Sequence, residues 1–453
     1  MPGDRTAATA RTLPSRDRPN DAGVTTTVVI AVFVGVYALI ATERVHRVAA
    51  ALGGAAIVLA VGAVGADDVF FSQETGIDWN VIFLLFGMMV IVGVLKQTGL
   101  FEYLAIWSAK RARGRPYRVM VMLCLITALA STVLPNVTIV LLAAPVTLLV
   151  CDRLGLRPAP FLIAEALASN IGGTATLIGD PPNLIIGSRA DLSFNDFLVN
   201  LAPIVAVILV VFLALCRWLF RKEYVFDAVR AEEVMELTER EAISDPRLLV
   251  RSLVILTLVI AGFVLSRPLD TDPSIVALLG AGLLVLTSRL DTSDYLEEVE
   301  WETLVFFMGL FILVGALTKV GVIEDLADFA ADAIDGRLFY ASMLLLWISG
   351  GLSAIVDNIP YVATMAPVVS ELVAHAPTGS DPTVLWWALA LGADLGGNAT
   401  AIGASANVVV IGIAKRNGYP IGFWEFAKYG AVVAVVSLLL CVPYIWLRYF
   451  VLA

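Results

Sequence analysis

Charge is what this chain has least of. Of its 453 residues, 15% are charged and 59% hydrophobic, against about 25% charged and 45–50% apolar in a soluble domain. A mean hydropathy of +0.87 excludes an ordinary soluble globular protein. It also excludes a soluble enzyme with one anchoring helix, because the apolar excess runs from Val24 to the C-terminus. Histidine is nearly missing: only His46 and His375 occur, so histidine-based metal or acid–base chemistry is close to excluded. The four cysteines (Cys124, Cys151, Cys216, Cys441) all sit in apolar stretches. They fit neither a disulfide framework nor a zinc spacing. Walker loops and the patterns G-x-S-x-G, H-E-x-x-H and C-x-x-C are absent. That argues against nucleotide-driven pumping and common hydrolytic chemistry. No catalytic residue, metal or cofactor is expected beyond a coupling ion, H+ or Na+, and no nucleic-acid partner.

What is present is a series of membrane-length apolar runs. A bilayer core needs about 20 apolar helical residues. Val24–Thr42, Val48–Ala66, Val81–Leu95, Phe197–Phe220, Leu249–Ser266, Ser274–Ser288, Leu304–Leu317 and Ala431–Leu447 meet or approach this. Four more regions are apolar but interrupted: Met120–Val150, Phe161–Ile186, Tyr340–Val373 and Leu385–Ile413. Residues 1–23 carry Arg5, Arg11, Arg16 and Arg18 without an apolar h-region. They are expected to form a flexible polar tail, not a cleavable signal. The only long polar connection is Arg221–Arg247. The expected division is therefore tail 1–23, first half 24–220, cytoplasmic linker 221–247 and second half 248–453. With the N-terminus outside, the inner side collects 20 lysines and arginines and the outer side nine. The positive-inside rule thus favours external termini. The basic stretch Ala109–Arg118 reads as an inner anchor beside anionic lipid.

The two halves repeat one another. At an offset of 222, Asp78–Ala105 lies on Glu300–Ala327 with nine of 28 positions identical. Ser131–Val150 lies on Ser353–Leu372 at the same offset, pairing Asn136 with Asn358 and Pro145 with Pro367. At 224, Asn170–Asn183 lies on Asp394–Asn407 with seven of 14 identical. Three blocks in one order at nearly one offset are poorly explained by the small alphabet of apolar segments. Each half crosses the bilayer an odd number of times, whether or not its hairpin is re-entrant. The second half therefore starts on the opposite face. Inverted repeats of this kind mark secondary transporters. The expected fold is all-α: a polytopic integral membrane protein of two inverted repeats, each with a re-entrant hairpin and a broken helix.

Chemistry is expected where the apolar helices break. Ser169–Gly187 reads SNIGGTATLIGDPPNLIIG, and Gly172, Gly173, Gly179 and the two prolines do not fit an unbroken helix. Its counterpart keeps Gly396, Gly397 and Gly403 but replaces Asp-Pro-Pro by Ala404-Ser405-Ala406. Broken helices at membrane depth expose amide donors on one side and carbonyls on the other, for an anion or a cation. Asn170, Thr174, Thr176, Asn183, Asn398, Thr400, Ser405 and Asn407 add neutral ligands. Small residues also serve close helix packing, the competing explanation for the glycines. At the hairpin tips lie Asn136 with Thr138, and Asn358, as capping or ligand groups. Intramembrane acids are costly and therefore functional candidates. Asp357 and Asp394 are the preferred proton- or sodium-sensitive groups. Asp180 serves equally as a cap of the half-helix after it. Glu165 reads either way, and Lys96 and Lys319 read as snorkelling side chains.

These strings carry a resemblance. SNIGGTATLIGDPPNLIIG, LSFNDF (Leu192–Phe197), DNIPYVATMAP and LGGNATAIGASANVVV resemble the ion-transporter superfamily. The branch is that of arsenite permeases, P proteins, NhaD-type sodium/proton antiporters and the citrate-permease-like domain. The resemblance covers about residues 28–450, and GGTATLIGDPPN is its most specific string. More distantly the chain is similar to divalent-anion/sodium symporters. That implies a scaffold, a mobile transport domain, an elevator motion and often a homodimer. One departure stands out. Relatives commonly carry Leu-Asp-Asn-Val-Thr at the first tip, where this chain has Leu134-Pro135-Asn136-Val137-Thr138. The Ser-Asn-Thr tips of carboxylate symporters are also missing. The expected function is secondary transport of a small ion in the cell membrane, foremost proton-coupled arsenite, antimonite or related anion transport. Sodium/proton antiport and citrate-like carboxylate symport are the alternatives.

Overall fold

A computed structural model describes residues 19–452, apart from 43, 73, 237, 335–336 and 377–380. The expected tail lies outside the described residues up to position 18, and a helix begins at Pro19. All regular structure among the described residues is helical. Among the described residues, seven helices are long and apolar enough to cross a bilayer. Two of the eight expected spans fall short: Arg47–Ala60 has 14 residues and Pro273–Ser288 has 16. The first ends because Gly62 turns the chain at φ +74° and a separate short helix follows from Ala66. Conversely, the second arm of the first hairpin, part of the interrupted region Met120–Val150, is itself of membrane length. Asn136–Leu154 runs 19 residues through Pro145 before Gly155 caps it at φ +64°. It spans about 28 Å at 1.5 Å per residue, and the 16-residue first arm Pro116–Ser131 about 24 Å.

The repeat is visible as interlocked packing. Trp79–Lys96 packs on Pro273–Ser288, and Trp301–Lys319 packs on Arg47–Ala60, so each half supplies a helix to the other. The same device closes both contacts. A Cβ at Gly87 would lie 2.8 Å from the Ala277 backbone, and one at Gly309 would lie 3.0 Å from that of Ala51. Glycine lets these backbones approach, which is how helices associate where lipid offers no hydrophobic drive.

Against this frame sit the hairpins and broken helices. The broken helices are Pro158–Gly173 with Pro181–Ala190, and Val384–Gly396 with Ser405–Arg416. Every residue of Pro158–Gly173 and of Val384–Gly396 is buried. A helix apolar all round belongs in an interior. The first hairpin arms, Pro116–Ser131 and Leu338–Ser353, lie along them. A Cβ at Gly172 would meet the Ala128 carbonyl oxygen at 2.1 Å, and one at Gly396 that of Gly350 at 2.4 Å.

The polar linker is docked. It folds into Ala228–Glu236 and a short turn at Glu239–Ala242. Ser244 Oγ donates to the Gln97 carbonyl (2.6 Å), and Lys110 pairs with Glu239 (2.6 Å). Gly99 takes φ +76° with the Ala242 carbonyl against it, a place no side chain fits. Lys96 and Lys319, expected to snorkel, pair with Glu298 and Asp68.

Candidate functional site

The two breaks are held by one pattern used twice. Thr176 Oγ1 donates to the Thr132 carbonyl at the end of the neighbouring hairpin arm, and accepts from Gly179 N at 3.2 Å. Thr400 Oγ1 donates to the Ala354 carbonyl at 2.6 Å and accepts from Ile402 N at 3.3 Å. The Asn183 amide reaches back to the Thr176 carbonyl at 3.0 Å. The Asn407 amide reaches the Gly397 and Thr400 carbonyls, both at 2.9 Å. Breaking a helix frees backbone groups that must find partners in a dry interior. Thr176, Thr400, Asn183 and Asn407 supply them. Gly179, Gly397 and Gly403 let surrounding backbone close in to 2.4–2.8 Å of where a Cβ would sit, and Gly173 does the same for the Asn136 side chain at 2.4 Å.

The hairpin tips meet the breaks. Asn136 Oδ1 accepts from Ser131 Oγ and from Ser169 Oγ (3.3 Å). Asn358 Nδ2 donates to Asp180 Oδ2 at 3.3 Å, joining the second tip to the first break. Asp180 stands at the N-cap position of its half-helix but makes no capping bond there. Between these groups lies a cavity of about 20 Å³ lined by Asn136, Asn170, Asp180, Glu300, Asn358 and Ser405 among others. That is room for about one water-sized species.

Two residues outside the expected set reach this place. Glu300, just before Trp301–Lys319, accepts from Thr138 Oγ1 (2.9 Å) and Thr303 Oγ1 (3.1 Å). Arg47, at the start of the short helix Arg47–Ala60, donates to Ser405 Oγ (2.7 Å) and lies 3.6 Å from Asp357. Ser405 Oγ donates in turn to Asp357 Oδ2 at 2.6 Å, and Asp357 Oδ1 accepts from Ile359 N. Asp357 is therefore an ion-paired acid. Arg47, His46, Glu302, Asp357 and Ser405 border a wider cavity of about 360 Å³. A sequence signal for Arg47 and Glu300 exists only as charges flanking apolar runs, which is also what an ordinary loop charge looks like.

Where the broken helices cross, Asn170 Nδ2 donates to Asn398 Oδ1 (2.9 Å) and Asn407 Oδ1 (3.1 Å). Asp394, its equivalent at offset 224, is fully buried, and neither carboxylate oxygen has a hydrogen-bond partner. Thr174 and Asn183 are the polar side chains beside it. Glu165 lies elsewhere, between the long hairpin arm and the broken helix, accepting from Thr147 at 2.8 Å. The structure thus gathers Asn136, Asn170, Asp180, Asn358 and Ser405 on one cavity and puts Thr176 and Thr400 in backbone roles.

Residues 37–392 match the citrate transporter family, CitMHS. The chain is 57% identical over 424 residues to an uncharacterized transporter of Mycobacterium tuberculosis, covering 94% of this chain and 99% of that one. It is 56% identical over 426 residues to a 46 kDa membrane protein of Mycobacterium leprae, with the same coverage. The human P protein is 36% identical over 489 residues, which are 91% of this chain and 58% of the P protein. The structure of the Alcanivorax borkumensis YdaH transporter superposes with a TM-score of 0.61 over 95% of this chain and 99% of that one. At 15% identity, this last likeness concerns the fold alone.

Proposed function

The chain belongs to the citrate transporter family of membrane transporters, and on that premise we propose that it is a secondary active sodium/proton exchanger. Its ion passes through the small cavity between the hairpin tips and the breaks. One observation carries this: one of the chain's own carboxylates stands at the start of each half-helix. Such an end attracts an anion through free amides and the helix dipole. Here Pro181 and Pro182 have no amide hydrogen to offer, and Asp180 precedes them. At the other break, Asp357 bonds Ser405, the first residue of the half-helix. Asp180 and Glu300 are the charged residues lining the small cavity, two acids against the single Arg47, which stands at its edge on Ser405 and Thr303. Oxygen ligands of this kind suit a hard cation or a proton.

Proton-coupled efflux of arsenite, antimonite or a related oxyanion is the second reading. The wider cavity favours it, with the Arg47 guanidinium at Ser405 and room for a larger solute. Citrate-like symport is less well supported. That cavity sets Glu302 and Asp357 beside Arg47, leaving no excess of positive charge for a polycarboxylate.

Reconstituted proteoliposomes decide among these. The exchange reading expects a sodium pulse to move protons with no added metalloid or carboxylate. It fails if sodium moves no protons while arsenite or citrate does.

A further inference from the structure

The crossing of the broken helices holds two versions of one polar triad. At an offset of 224, Asn170, Thr174 and Asn183 correspond to Asp394, Asn398 and Asn407. The elements exchange partners, so each central residue faces the other half's pair. Asn170 faces Asn398 and Asn407, and its NH2 group bridges their two amide oxygens at 2.9 and 3.1 Å. Asp394 faces Thr174 and Asn183. Here the bridging NH2 is missing, because the residue is an acid.

Thr174 and Asn183 carry the polar hydrogens nearest Asp394, but neither reaches its carboxylate in hydrogen-bond geometry. The Thr174 hydroxyl donates to the Asn170 carbonyl at 2.9 Å. The Asn183 NH2 is directed to the backbone carbonyls of the break, the best at 3.0 Å. Asn183 Oδ1 has no partner, and neither has either oxygen of Asp394. Asp394 and Asn183 are both 0% exposed. A buried carboxylate without donor or counter-charge costs several kcal/mol in effective terms. Its surroundings are oxygens whose own hydrogens are committed elsewhere, which is the ligand set of a hard cation. One carboxylate among neutral oxygens balances a single charge.

We infer that Asp394, Thr174 and Asn183 form a seat for a dehydrated monovalent cation, apart from the tip cavity, in the place the Asn170 amide fills in the sister triad. The seat deepens the exchange reading by naming where the transported cation rests. Asp180 lies within electrostatic range of Asp394, so charge in the seat is felt at the tip cavity.

Equilibrium binding of ²²Na+ to the purified full-length chain tests this at alkaline pH, on the parent, Asp394→Asn and Glu165→Gln. Asp394→Asn recreates the neutral sister triad, so it is expected to remain monodisperse while its ²²Na+ affinity falls at least about tenfold, a difference of 1.4 kcal/mol. Glu165→Gln removes another buried acid and is expected to bind like the parent. If Asp394→Asn does not fold, Asp394→Glu replaces it, with weakened binding as the expected result. The seat is overturned if the parent binds no sodium, or if the folded Asp394 variant binds it as the parent does. Sodium-driven proton flux is measured in parallel. Binding that depends on Asp394 without such flux keeps the seat and sinks the exchange reading. Flux with binding indifferent to Asp394 does the reverse.

Discussion

The two halves of this protein agree where the backbone needs support and differ where charge is placed. Thr176 and Thr400 anchor their breaks to equivalent carbonyls, Asn183 and Asn407 reach back across them, and Gly172 and Gly396 admit a neighbouring helix. The differences fall at three positions. Pro135 stands opposite Asp357 at the tips, Asp180 opposite Ala404 at the breaks, and Asn170 opposite Asp394 at the crossing. Each place thus has an acid in one copy and a neutral residue in the other. Shared residues build the frame. The unshared ones carry the chemistry, because an ion path made of two identical acids at each level would double the desolvation cost.

That division can be broken from either side. The largest effects on stability should come from the shared glycines. Gly172→Ala and Gly396→Ala drive a Cβ onto a backbone carbonyl oxygen. Each should cost about 1–3 kcal/mol and by similar amounts, read as matched losses in thermal melting. A loss in one copy only would undo the equivalence. Next come Asn183→Ala and Asn407→Ala, each leaving carbonyls of a break without donors, at about 1–3 kcal/mol. Asn407 should cost more, since its bonds to Gly397 and Thr400 are both 2.9 Å and it also accepts from Asn170. Arg47→Met frees Asp357 but leaves it Ser405 and Ile359 N. Both partners are partly exposed, so melting should fall by about 1 kcal/mol or less. The orientation of transport should respond more, read as altered inner-side cysteine accessibility.

The smallest effect concerns the linker. Lys110 holds the Glu239 carboxyl below its usual range. A depressed folded-state pKa stabilises above the unfolded value and loses that contribution as pH falls through the folded one. Exchange protection of Ala228–Glu236 should therefore hold at neutral pH and drop on acidification. Glu239→Gln should flatten that response.

Much of this was legible in the sequence because breakers survive at a nearly constant offset. Gly172, Gly173 and Gly179 recur as Gly396, Gly397 and Gly403, and Asn136 recurs as Asn358. Those residues located the breaks and the tips. The Arg47–Asp357–Ser405 contact was not legible, because it joins positions more than 300 apart in part and no local pattern marks it. Asp357 and Asp394 looked alike as intramembrane acids; only tertiary placement gives one an arginine and leaves the other alone. The span expected over Val48–Ala66 is shorter, at Arg47–Ala60, and Asn136–Leu154 was hidden in an interrupted region, because hydropathy cannot see whether Gly62 turns the chain or Pro145 is absorbed.

The measurement closest to the central claim is sodium-driven proton flux through proteoliposomes of Asp394→Asn, beside its thermal melting. This account predicts flux lower by on the order of 100-fold with melting unchanged within a few degrees. Flux within about twofold of the parent, at equal stability, would contradict it.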